Sequence, residues 1–262
     1  MRRPAVFISH GSPMVLLDED EYTRALAALG QSEPAPRAVV VVSAHWQEPA
    51  PVRVTGGARP RQIFDFAGFP DALYTARYIP PGDPALAAGI ASLLNENGIE
   101  TVLDARRGLD HGAWVPLRFA YPVAEIPVVQ VSLSTQAAPV DLMRIGRALA
   151  PLRGQDVLLI GSGGAVHNLR RVVFDRKDAP VDGWARLFDE WLAGRLRARD
   201  FDTLAAWHRA APQPELAHPT SEHFDPLFVV LGAAGDGDRV TTIYEGFQYG
   251  NLSMRSFALK EE

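Results

Sequence analysis

The chain is 262 residues long, enough for one large domain with a substantial buried core. Its 47% hydrophobic and 22% charged residues are the mix of a soluble globular protein and exclude disordered, collagen-like and coiled-coil architectures. A net charge of −5 argues against a nucleic-acid partner held through its phosphates, and the absence of cysteine excludes disulfides, thiolate chemistry and Cys-ligated metal centres, leaving His, Asp and Glu as the strong metal ligands.

In chain order, residues 5–9 read as a first strand and residues 18–29 as a helix with acidic residues in its first turn. Residues 37–43 hold the run Val39-Val40-Val41-Val42 and read as a fully buried strand. Residues 56–78 are rich in aromatics, Gly and Pro without periodicity, which predicts a long loop of the kind that often carries function. Asp83-Pro84 opens a helix that stops at Gly98, a cap-then-Pro start and a Gly stop. A strand over 126–133, a helix over 140–152 and a strand over 156–161 follow. Helices are then expected over 182–197, 201–207 and 224–232, and late strands over 240–244 and 253–259. This alternation predicts a single α/β domain over residues 1–262, with a mainly parallel central sheet flanked by helices. No apolar run approaches the roughly 20 residues of a membrane span. Residues 1–4 run straight into a strand without a signal-peptide pattern, so the cytoplasm is the expected compartment and no membrane partner is expected.

The seven histidines carry most of the functional signal. His10 follows the first strand, His45 follows the valine strand, and His167 follows the strand over 156–161 across Gly161-Ser162-Gly163-Gly164. Parallel strands bring such positions together at their C-terminal ends, where open α/β sheets bind ligands. Without thiols, a cluster of neutral imidazoles points to a divalent metal. His111, after Asp110, is open by position between a catalytic and a structural role. His218 and His223 lie where a loop enters a helix, with Ser221 as its candidate N-cap and Glu222 and His223 in its first turn. His208 reads as a surface residue near a helix end. The Gly-rich turn lacks the ending of a phosphate loop and the dinucleotide fingerprint, and Ser162 lacks the flanks of a nucleophile elbow.

Five motifs in one order carry a resemblance: Ile8-Ser9-His10-Gly11-Ser12-Pro13, Ser43-Ala44-His45-Trp46, Asp110-His111-Gly112, residues 161–169 around His167, and residues 218–227 around His223. Together they resemble the class III extradiol ring-cleavage dioxygenases, in their DOPA-dioxygenase-like branch, over essentially the whole chain. The resemblance implies one divalent metal ion per chain, Fe(II) for activity, with Zn(II) also suited to a histidine-rich site. It implies His10 and His45 as metal ligands, His223 rather than Glu222 as the late ligand, and His167 as a metal-proximal or acid/base residue. His111 is implied as the residue that contacts the substrate hydroxyl. The partners it implies are a small aromatic diol, such as DOPA or a related catechol, and O2. Tyr249 and Asn251 are expected to border the pocket and Arg77 or Arg255 to meet a substrate carboxylate; the aromatic loop is open between covering a flat ring and ordinary core packing, with core packing the expectation for Phe64 and Phe66. A zinc-dependent hydrolase and a non-catalytic metal-binding member of the same superfamily are the alternatives.

Overall fold

The computed structural model describes residues 2–261. Its strands are β1 (Ala5–Ser9), β2 (Ala38–Glu48), β3 (Val52–Thr55), β4 (Thr101–Asp104), β5 (Val128–Ser134), β6 (Val157–Gly163), β7 (Asp238–Tyr244), β8 (Phe247–Gln248), β9 (Leu252–Ser253) and β10 (Ser256–Glu261). Its helices are α1 (Glu21–Gln31), α2 (Asp71–Thr75), α3 (Pro84–Glu96), α4 (His111–Ala120), α5 (Pro139–Leu149), α6 (Gly183–Arg197), α7 (Phe201–Ala205), α8 (Trp207–Ala210), α9 (Pro214–Ala217) and α10 (Asp225–Gly232).

Eight strands form one sheet in the order β4-β3-β5-β2-β6-β1-β10-β7. Its centre, β5-β2-β6-β1, is parallel throughout. The parallel pair β3–β4 joins β5 antiparallel, and β10 and β7 close the other side antiparallel. The valine run of β2 shows why this centre is apolar without alternation. Val40 and Val42 pack into a core beneath α3, α5, α6 and α10, while Val39 and Val41 face the opposite way into a core with Leu26 of α1 and Trp114 of α4. Helices on both faces leave no wet side for polar residues.

The capping signals hold where they were clearest. Asp83 accepts from the backbone N–H of Leu86 at the start of α3, and Gly98 takes a φ of 72° after its end. Other boundaries differ. Strand β2 runs on to Glu48 through a register shift between Val42 and Gln47, so His45 lies within the strand and not beyond it. The loop over 56–78 contains the short α2. The helix expected to reach residue 152 ends at Leu149 and continues as a 3-10 turn over Ala150–Gln155. The short strands β3 and β4 and the helix α4 were not foreseen. Helix α10 begins at Asp225, so Glu222 and His223 sit in the turn before it. No described helix is long and apolar enough to cross a membrane.

Candidate metal centre

The parallel centre of the sheet sets up the site. β2, β6 and β1 are neighbours, and His10 follows β1 directly while His45 lies on the last turns of β2's pleat. His223 arrives from the turn before α10, which lies close against β6. A side chain on Gly163 would put its Cβ 2.1 Å from the His223 carbonyl, and that carbonyl accepts from the Gly164 N–H at 2.8 Å. Glycine at 163 is therefore what lets this turn reach the strand end. One nitrogen each from His10, His45 and His223 lies within 4.8 Å of the others. The Nε2 atoms of His10 and His45 are 2.9 Å apart.

Hydrogen bonds assign the tautomers. Ser162 Oγ donates its one proton to the Gly112 carbonyl at 2.5 Å, so at 3.0 Å from His10 Nδ1 it accepts. His10 thus carries its proton on Nδ1 and turns the Nε2 lone pair inward. Glu222 Oε1 accepts from His223 Nδ1 at 3.1 Å and frees the other nitrogen in the same way. Asp65 accepts twice from His111, from the backbone N–H at 2.8 Å and from Nδ1 at 2.9 Å, and its Oδ2 also lies 3.6 Å from His45 Nδ1. Carboxylates behind histidines are the usual device for fixing a ligand ring. Sequence reasoning missed Asp65, whose only signal was a lone carboxylate inside Phe64-Asp65-Phe66.

The electrostatics keep the cluster neutral. Burial, and then the neighbouring imidazoles, hold His10 and His223 well below the usual histidine range. Burial and His111 bring His45 down to about 3, against the pull of Asp65. Burial lowers His167 to about 4 despite Glu222. Burial by itself would raise Asp65, but its hydrogen bonds and charge contacts with His111 and then His45 take it to about 2. At neutral pH His10, His45, His167 and His223 are uncharged imidazoles, with the Asp65 anion close by, which is a protonation state that binds a cation.

Residues 4–257 match the family described as the catalytic LigB subunit of aromatic ring-opening dioxygenase. The chain belongs to the LigB family. It is 39% identical over 267 residues to a 4,5-DOPA dioxygenase extradiol of Escherichia coli K12, covering 97% of this chain and 94% of that protein. It is 38% identical over 255 residues to a 4,5-DOPA dioxygenase extradiol of Beta vulgaris, covering 96% of this chain and 94% of that protein. The crystal structure of an uncharacterized protein from Escherichia coli K12 superposes with a TM-score of 0.84 at 36% identity, covering 99% of this chain and 100% of that one. The protein is an extradiol, aromatic ring-opening dioxygenase.

The LigB-family centre opens on a cavity of about 360 Å³, large enough for a substituted benzene ring. His10, His45, His111, His167 and His223 all line it. His167 does not join the His10–His45–His223 group. It forms a second group with Glu222 and His223, their ligand atoms also within 4.8 Å of one another, and its ring stacks on that of His223 at 3.5 Å and 7°. The donor set fits a divalent metal, since imidazole suits several such ions and three rings come from three separate segments.

Several expected residues lie elsewhere. Tyr249 is in the β8–β9 turn with φ 54°, near the charges of Asp18, Lys177 and Asp20, and it does not line the cavity; Leu252 of the same hairpin does. Asn251 is buried but off the wall. Arg255 is tied to Asp189 and Glu245, and Arg77 turns its guanidinium to the carbonyls of Tyr74 and Ala76. The aromatic loop divides: Phe66 meets His111 edge-on at 5.6 Å within the cavity, while Phe64 packs on Trp114. His218 points neither to the site nor to solvent. Its Nε2 donates to the Ala165 carbonyl, and the ring lies among Phe188, Trp207 and Phe224. His208 is exposed and stacks on Trp207, as a surface histidine near a helix end would.

Proposed function

We propose that the protein cleaves a substituted catechol beside its diol, using one divalent metal ion, Fe(II) in the active form, held by His10, His45 and His223. The observation that carries this reading is the convergence of three neutral imidazoles at the mouths of adjacent parallel strands, inside a cavity that two further histidines border. The bound ion would supply a Lewis-acid centre that draws the diol and O2 into one encounter.

The chain's own residues supply the rest. Asp65 holds the Nδ1 proton of His111, so the free Nε2 is left to accept from a substrate hydroxyl. His167, uncharged because it is buried, takes a proton from the diol and returns it after ring opening. Phe66 lies against His111 and keeps water from that edge of the ring. The relatives are named for DOPA, and DOPA is the first catechol to test on this protein.

The decisive experiment loads the protein anaerobically with Fe(II), adds a catechol and admits air. A yellow semialdehyde that appears in step with O2 uptake is the expected result. Ester hydrolysis by the zinc-loaded protein, with no O2 uptake from the iron-loaded one, would refute the reading.

A further inference from the structure

His45 sits where β2 parts from its neighbours. The ladder to β6 ends at Ser43, and the ladder to β5 breaks after Val42 and resumes at Gln47. His45 has no register partner in either adjacent strand, and backbone that leaves its ladder must find other partners. Two side chains supply them. Ser43 Oγ accepts from the His45 N–H at 3.2 Å, and Arg107 Nη2 donates to the His45 carbonyl at 3.2 Å. Both lead to one carboxylate. Ser43 Oγ donates to Asp110 Oδ1 at 2.7 Å, and the same Arg107 Nη2 donates to Asp110 Oδ2 at 3.2 Å. Arg107 also lays its guanidinium over the ring of Trp46, the residue after His45, at 5.2 Å. Its own backbone N–H is fixed by Asp104 Oδ1 at 2.9 Å, at the end of β4.

Asp110 is the buried cap of α4, and His111 is the first residue of that helix. The rings of His45 and His111 lie 4.0 Å apart at 45°. We infer that Arg107 is a positioning residue for the dioxygenase reaction: it ties the His45 carbonyl to the cap of α4 and so fixes the His45 ring against the His111 ring. Arg107 does not line the cavity, so it acts through those two rings. A guanidinium suits the post because its plane can stack on Trp46 while its edge donates, which an ammonium cannot reproduce. The inference rests on the reading above of His45 as a metal ligand and His111 as the substrate contact.

The test is Arg107→Ala with ethylguanidinium added back. The Arg107 side chain is 25% exposed, so this ion can enter from solvent, and it carries the atoms that the substitution removes. In the Fe(II) enzyme, kcat for catechol-dependent O2 uptake is expected to fall about 10- to 100-fold while KM changes less than about threefold. Zn(II) affinity, read by competition with a chelator and without substrate, is expected to fall about tenfold. Ethylguanidinium is expected to recover at least about threefold of each loss, and sodium chloride at equal ionic strength none. Arg107→Lys keeps the charge and a donor and is expected to lose less than Arg107→Ala. A lower melting temperature with wild-type kcat and Zn(II) affinity would mark a merely structural residue and overturn the inference. Losses relieved by neither ethylguanidinium nor lysine overturn it too. Should Arg107→Ala not fold, Arg107→Met keeps an apolar stem without donors, and wild-type kcat and Zn(II) affinity there overturn it. The Zn(II) measurement needs no turnover. A wild type that opens no catechol refutes the dioxygenase reading, while the Zn(II) loss and its recovery still decide the role of Arg107. A wild type that turns over, matched in every measure by Arg107→Ala, refutes that role alone.

Discussion

Replacing Asp65 by Asn tests whether the anion behind His111 sets that ring's tautomer. Asp65 accepts two bonds from the one residue, at 2.8 and 2.9 Å, and an amide has a single acceptor oxygen to offer. The best arrangement left to Asn keeps its oxygen on the backbone N–H of His111 and turns its NH2 toward Nδ1. His111 Nδ1 must then accept, which moves the ring proton to Nε2. The cavity meets an N–H where it met a lone pair. The Asp65 side chain is 20% exposed, so its bond to the ring is only weakly screened. A charge-assisted bond of this kind is worth about 1.5–2.7 kcal/mol, so kcat/KM is expected to fall roughly ten- to hundredfold. Metal content should be unchanged, because His10 and His223 are oriented by other groups. Steady-state O2 uptake with elemental analysis of the same samples reads both quantities. Wild-type kcat/KM in Asp65→Asn would refute the tautomer argument, and lost metal would show that Asp65 acts through His45 instead.

Three further outcomes follow from the hydrogen bonds and burial. Ser162→Ala removes the acceptor behind His10 Nδ1 and should weaken metal binding about 10- to 100-fold, measured by competition with a chelator; an unchanged affinity would break the link. His223→Ala should lower metal affinity by more than about 100-fold, whereas Glu222→Gln should lower it by no more than about tenfold, as befits a partner behind the ligand; the reverse order would make Glu222 the ligand. His218 is buried and lowered to about 3, below its unfolded value of about 6.5. Between those limits the unfolded chain binds the extra proton, so stability is full above about pH 6.5 and falls by about 1.4 kcal/mol per unit as pH drops toward 3. His218→Phe should flatten that acid limb in melting curves, and an identical slope in both proteins would refute it.

Much of the scaffold could be read from the chain because its signals are local. The valine run announces a strand buried on both faces, and Asp83-Pro84 with Gly98 brackets α3. His10, His45 and His223 could be named because each stands beside a strand or helix boundary within a distinctive motif. Asp65 could not be, since it reaches His111 across 46 residues from an aperiodic loop. Tyr249 failed for a geometric reason: the tight β8–β9 turn swings it toward Lys177 and brings Leu252 to the cavity instead. Helix α4 was hidden by Gly112 and Pro116, both poor helix residues. It forms because the buried Asp110 side chain caps it, accepting from the Ala113 N–H while Ser43, Gln130 and Arg107 hold the carboxylate in place.

Pro116 is also where the helix and the centre meet. A proline has no N–H, so the carbonyl four residues before it loses its partner within the helix. In α4 that carbonyl belongs to Gly112, and it is the group that accepts from Ser162 Oγ. The hydroxyl's proton is thereby spent, and its lone pair takes the Nδ1 proton of His10. Gly112 has its own reason to be glycine, because a Cβ there would lie 2.4 Å from Ser43 Oγ, which donates to the cap residue Asp110. Two residues that weaken α4 as a helix therefore place one bare carbonyl beside β6, and through Ser162 that carbonyl decides which nitrogen His10 turns to the cavity. The local cost in helix propensity is the source of the ring's orientation, which is why the segment reads poorly as a helix and well as part of a site.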